Sequence, residues 1–210
     1  MEANIFAIHL AAMPSVQQSG QMYAQAIIDM YRSGKKVGAQ DFDALYPLKN
    51  YEATTATLRK AFGASLTNNT VAVADMYGGD IQFSCSAQFA ASAVAGLKSS
   101  RKAYLYLFDY TPSQPRMSLF GPTHSLDLAF VFGNFDDYTV DMSFGASQSW
   151  AATSFEQKLS NSVMDYWLNF VRYSDPNTKS TDAKWPAAGC GGDGKTNFMV
   201  FGEDGPGEAA

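Results

Sequence analysis

The sequence predicts an α/β protein that is rich in helix and short of strands. Three observations predict it. The run Ala103–Tyr110 alternates Tyr104, Tyr106 and Phe108 with Leu105 and Leu107, so both faces are apolar, as in a strand of a covered sheet. Four stretches repeat apolar residues at helical spacing. Only one further short run reads as a strand, which is too few neighbours for a covered sheet. The chain therefore reads as part of a larger domain.

In order along the chain, Gln17–Arg32 is expected to be a helix. Met22, Ala26 and Met30 form one stripe, and Ser33-Gly34 supplies a stop. A second helix is expected after Asn50, with Tyr51, Thr55, Leu58 and Phe62 in phase and Gly63 at its end. Gly78-Gly79-Asp80 reads as punctuation between elements. Ser86–Lys98 is a helix of small residues, with Ala87, Ala90, Ala91 and Val94 on its narrow face. The strand Ala103–Tyr110 follows, and then a Pro-containing loop from Thr111 to about Thr123.

Ser154–Tyr173 has the strongest helical pattern, with Phe155, Leu159, Val163, Tyr166 and Phe170 on one broad face. Ser154 is expected to cap it and Asp175-Pro176-Asn177 to end it. Lys179–Gly194 reads as loop, and Asn197–Phe201 as a last short strand. The whole of 1–210 is expected to be one segment, with about 203–210 an acidic mobile tail.

Composition excludes several function classes. Of the 210 residues 46% are apolar and 17% charged, enough for a packed core and unlike a disordered tail. Fifteen basic against twenty acidic side chains leave a net charge of -5. Such a surface binds phosphate backbones and anionic lipid poorly, so neither nucleic acid nor a membrane is expected as partner. No apolar run approaches the roughly 20 residues that span a bilayer. Met1-Glu2-Ala3-Asn4 has no basic n-region, so no signal peptide is expected at this start.

Two histidines limit the chemistry. His124, just after the apolar strand and its loop, is placed for general-base work at the carboxyl end of a strand. His9, in Phe6-Ala7-Ile8-His9-Leu10, has no nucleophile near it in sequence and reads as structural. The serine elbow G-x-S-x-G is absent. Gly145-Ala146-Ser147 and Gly63-Ala64-Ser65 lack its context and read as loop. Gly189–Gly194 is Gly-rich but has no Lys-Ser/Thr and is no P-loop. The two histidines and two cysteines make no metal-ligand set, and no cofactor is expected. Cys85 and Cys190 are either a disulfide or two free thiols.

The segment Gly121-Pro122-Thr123-His124-Ser125-Leu126-Asp127-Leu128-Ala129-Phe130-Val131-Phe132-Gly133 resembles the histidine motif of type-B carboxylesterases. That family includes cholinesterases and bacterial para-nitrobenzyl esterases. Its pattern is a Gly, a His, an acidic residue three places on, then aromatic-Val-Phe-Gly. Four further landmarks agree in order. Asp80–Cys85 resembles the family's Asp-x-x-Phe-x-Cys, and Tyr104–Phe108 its Tyr-x-Tyr-x-Phe strand. Met164–Phe170 with Asp175-Pro176-Asn177 resembles its Met/Trp/Phe helix and Asp-Pro-Asn end, although Met164 stands three residues before Trp167 rather than four. Trp185-Pro186 is the usual sequel.

The resemblance implies a partial α/β-hydrolase fold, its C-terminal helix-rich part. It also implies that Glu2 is the triad acid, since Met1–Phe6 matches the family's acid motif at Glu2 and Phe6, with Ala3 in place of Gly. His124 and Glu2 would then serve a serine esterase whose substrate is a small-molecule carboxylic ester. Family members are more than twice this length, and their serine and oxyanion loop lie upstream. An N-terminal esterase segment is the expected source of the nucleophile, and the chain alone is expected to be inactive. The alternative is a non-catalytic homologue acting as a protein-interaction module.

Overall fold

The computed structural model describes residues 43–62, 69–97, 102–114, 118, 121–136, 150–179, 181–189 and 196–209. The helix expected at Gln17–Arg32 lies outside them, as do Glu2, His9 and Cys190. The described residues fall into two compact units, one up to Gln82 and one from Phe83 onward.

In the first unit a 3-10 turn, Leu48–Tyr51, leads into α1 (Glu52–Phe62). Helix α2 (Thr70–Gly79) follows, where the sequence was read as punctuation at Gly78-Gly79. The two glycines are inside the helix because Val71, Ala72 and Val73 bury its first turns among Tyr46, Tyr51 and Tyr77. Packing outweighs the roughly 1 kcal/mol that each Gly costs a helix. The Nδ2 of Asn69 donates to the Leu48 carbonyl at 2.8 Å, tying the start of α2 to the 3-10 turn. Asp80–Ser84 then forms a π-helical segment, whose first residue accepts a hydrogen bond from the Tyr46 hydroxyl at 2.8 Å.

The second unit begins with the end of that segment and α3 (Cys85–Ala95), which is mostly exposed and carries Cys85 as a free thiol. Strand β1 (Tyr106–Asp109) lies within the expected run and is parallel to β2 (Phe198–Gly202). Strand β3 (Gly205–Ala209) pairs antiparallel with β2 through a two-residue turn. The tail expected at about 203–210 is therefore a strand over Gly205–Ala209. Its Gly and Pro are tolerated because β3 is an edge strand in the order β1-β2-β3. Strand β1 is the other edge among the described residues, rather than the middle of a covered sheet.

The register puts Tyr106, Phe108, Met199 and Phe201 on one face. That face holds the core. Against it pack α4 (Asp127–Phe132), through Ala129 and Phe130, and α5 (Ser154–Tyr173), through Leu159, Val163 and Tyr166. Leu107 and Val200, on the opposite face, are half-buried. Helix α5 has the expected bounds, but its cap is Thr153 rather than Ser154. Thr153 Oγ1 accepts from the Glu156 N–H at 3.2 Å, and the Glu156 carboxylate accepts from the Thr153 N–H at 2.7 Å. This reciprocal pair satisfies two donors that a helix start leaves open.

Candidate functional site

His124 sits in a tight loop that leads into α4. The Leu126 N–H donates to the Thr123 carbonyl at 3.2 Å, closing a turn that contains the histidine, and the Leu128 N–H donates to the Ser125 carbonyl at 3.2 Å, closing a second turn that overlaps the first. Ser125 has φ 67°, a left-handed conformation uncommon outside glycine. Together these interactions fix the backbone on either side of the half-buried imidazole.

Two contacts then hold the loop and the ring. The Tyr106 hydroxyl, on β1, donates to Oδ2 of Asp127 at 2.5 Å. Asp127 is the acidic residue three places after His124, so the motif's carboxylate is a tether from the first turn of α4 to the sheet. The imidazole of His124 lies against the Phe83 ring, with centroids 4.3 Å apart and an interplanar angle of 25°. Phe83 belongs to the π-helical segment, a geometry often found at functional sites. The sequence showed Phe83 only as a landmark residue, because its meeting with His124 is a tertiary contact.

The end of the histidine motif also has a physical cause. Gly133 stops α4 at φ 63°, and a Cβ there would stand 3.2 Å from both Sδ and Cε of Met164. Ser160 Oγ donates to the Phe130 carbonyl at 2.8 Å across the same contact. The left-handed backbone favours glycine at 133, and the end of the Met164 side chain would have to give way to a Cβ there.

The loop that directly follows β1 is anchored to α5. Buried Glu156 accepts from the Ser113 N–H and hydroxyl, each at 2.8 Å, in addition to its bonds with Thr153. Burial pushes its carboxyl up, but these donors outweigh burial and hold it below the ordinary carboxylate value. Burial, with Glu156 and Glu203 nearby, pushes the Tyr110 phenol up to about 12.

The remaining landmarks are structural. Trp185 packs edge-on against Tyr104, Tyr106, Tyr166 and Phe201. Its Nε1–H donates to the Leu105 carbonyl at 2.9 Å. Asp175 accepts from the Asn177 N–H at 3.0 Å, from its Nδ2 at 2.8 Å and from Lys102 Nζ at 3.3 Å. The Asn177 backbone bond first, then these side-chain donors, hold its carboxyl down at about 2.

Glu2 lies outside the described residues, so only the histidine of the expected pair has a described place. A cleft of about 510 Å³ opens beside Asn134, Asp136, Gln157 and Asn161, and His124 does not line it. Among the described residues no cluster of His, Cys, Asp and Glu converges as a metal site, and no helix is long and apolar enough to cross a membrane.

Comparison with known proteins bears on these landmarks. The chain is 30% identical over 113 residues to acetylcholinesterase 1 of Caenorhabditis elegans, covering 51% of this chain and 16% of that protein. It is 33% identical over 89 residues to the acetylcholinesterase of Danio rerio, covering 40% of this chain and 12% of that protein. Among solved structures a PNB esterase aligns with 81% of this chain and 29% of its own, at 19% identity and a TM-score of 0.49. The chain thus spans less than a fifth of the length of these two relatives. The sequence model of the carboxylesterase family matches residues 8–206, nearly all of the chain and every landmark from Asp80 to Trp185. On that match, the short mixed sheet and its helices are the C-terminal part of an α/β-hydrolase fold, and the chain belongs to the carboxylesterase family.

Proposed function

We propose that this chain carries the general base, His124, and the acid, Glu2, of a serine esterase that hydrolyses small carboxylic esters. The observation that carries the reading is the His124 loop. It follows β1, is built of two overlapping turns and is tied to the sheet by Tyr106 and Asp127, in a chain of the carboxylesterase family.

The chemistry follows from an imidazole held in one place. His124 takes the proton of a serine hydroxyl as the oxygen attacks the ester carbonyl carbon. It returns that proton to the departing alcohol, and in the second half-reaction it activates the water that releases the acid. Glu2 accepts a hydrogen bond from the imidazole and stabilises the imidazolium. The 210 residues hold no G-x-S-x-G, so the serine and the oxyanion donors come from another segment.

The test is complementation. The chain alone should hydrolyse p-nitrophenyl acetate no faster than buffer, since removing the serine from such a triad costs about 10⁶-fold. Co-expression with a carboxylesterase N-terminal segment bearing G-x-S-x-G should restore turnover, and His124→Ala or Glu2→Gln should remove it. Turnover that ignores His124→Ala would overturn the assignment, as would phosphonate-sensitive turnover by the chain alone. Failure to complement would shift the reading to the non-catalytic interaction module.

A further inference from the structure

We propose that Phe83 is a positioning residue for His124: its ring fixes the plane of the imidazole, a degree of freedom that the loop leaves open. The inference rests on His124 as the base, and its evidence is geometric. The two turns and the left-handed Ser125 fix the backbone around His124. Tyr106 and Asp127 fix the start of α4. None of these holds the imidazole itself, which is still able to rotate about its own side-chain bonds. Phe83 meets the ring nearly face to face, at 4.3 Å and 25°.

The segment that carries Phe83 supports this role. Asp80–Ser84 is π-helical, between the α-helices Thr70–Gly79 and Cys85–Ala95. A π-helical turn holds more residues than an α-turn and changes the direction of the side chains on it. Phe83 stands on that altered turn, in the same compact unit as His124.

For a general base the orientation of the ring matters as much as its position. Both nitrogens act in the ring plane, one toward the serine and one toward the acid, so a twisted ring loses both hydrogen bonds together. A flat aromatic neighbour restrains that twist and leaves both nitrogens uncovered, because stacking occupies the ring face and not its edge.

Histidine proton spectra of the complete 210-residue chain test this without turnover. His9→Gln in the background leaves His124 as the single imidazole. In the unsubstituted Phe83 chain, the His124 ring protons should lie upfield of their random-coil positions through the Phe83 ring current. Side-chain couplings should show one dominant rotamer. Phe83→Leu keeps an apolar side chain but removes the flat face. It should abolish the upfield displacement and reduce the rotamer preference roughly two- to tenfold, the weight of an aromatic pair. Phe83→Tyr should restore both. Random-coil ring shifts in the Phe83 chain overturn the proposal without any variant, so a Phe83→Leu chain that fails to fold does not protect it. A folded Phe83→Leu chain that keeps its single rotamer overturns it too. The triad reading fails separately, through complemented turnover that is indifferent to His124→Ala.

Discussion

Asn177 and Trp185 are joined by two hydrogen bonds of opposite sense. The Trp185 N–H donates to Asn177 Oδ1 at 2.7 Å, and Asn177 Nδ2 donates to the Trp185 carbonyl at 3.0 Å. One amide side chain thereby acts as a backbone partner. It fixes the turn after α5 to the residue whose indole fills the space between the sheet and α5. The Asp-Pro-Asn and Trp-Pro landmarks are two halves of one clamp.

Asn177→Ala should therefore destabilise the second unit by about 2–3 kcal/mol, through the bonds lost and the Trp185 backbone groups left unpaired. Asn177→Asp should do little better, because it cannot donate to the Trp185 carbonyl and it places a second carboxylate beside Asp175. Urea titration of both variants, followed by Trp fluorescence, checks this. A midpoint unchanged in Asn177→Ala would refute the clamp.

Tyr106→Phe removes the donor to Asp127 and leaves the ring in place. A bond to a charged acceptor is worth about 1.5–3 kcal/mol. The loss should appear as faster amide exchange in 124–130, with smaller change in α5. Uniform acceleration across the unit would mean that the tether is not local.

Gly133→Ala puts a Cβ at φ 63° and 3.2 Å from Met164. The left-handed conformation alone costs about 1–2 kcal/mol. Met164 is flexible enough to yield part of the overlap, so Gly133→Ala combined with Met164→Ala should keep the backbone penalty but lose the clash. Thermal melts of the single and double variants separate the two contributions.

Acid should unfold this unit in a defined window. Glu156 and Asp175 both have lowered carboxyl values in the fold. A lowered value means that the folded state prefers the charged form, so the stability is present above the ordinary value and is lost as pH falls through the folded one. For Asp175 that window runs from 3.8 to about 2, and for Glu156 it opens at 4.5. Asp175 is partly exposed and screened by solvent, so Glu156 should dominate. The melting temperature should fall as pH drops below about 4.5, and Glu156→Gln should be less stable at neutral pH with a flatter acid limb. An unchanged acid limb in that variant would assign the acid sensitivity elsewhere.

Much of the architecture was legible in local patterns. Helix α5 has the bounds its apolar phase gives, β1 lies within the alternating run Ala103–Tyr110, and β2 overlaps the short run Asn197–Phe201 and extends one residue beyond it. Elements whose local composition opposes their structure were not legible. Helix α2 contains two glycines and is buried by tertiary packing, and β3 reads Gly-Pro-Gly-Glu-Ala, a turn composition that only an edge position allows. Helix α4 is six residues long and too short for periodicity to declare. His124 could be named from its motif. Its stacking on Phe83 and the tether from Tyr106 to Asp127 join residues far apart in sequence, and no local pattern encodes such meetings.

The parallel pairing of β1 with β2 has a consequence for biosynthesis. Each rung, from Tyr106–Met199 to Asp109–Gly202, joins residues ninety-three positions apart. At a translation rate of about 5–20 residues per second, β1 emerges from the ribosome roughly five to twenty seconds before β2 is made. For that interval Tyr104, Leu105, Tyr106, Leu107 and Phe108 form an apolar segment that lacks its β2 partner, a ready substrate for holding chaperones or for a neighbouring nascent chain. A premature stop before Phe198 would extend that exposure for the life of the polypeptide.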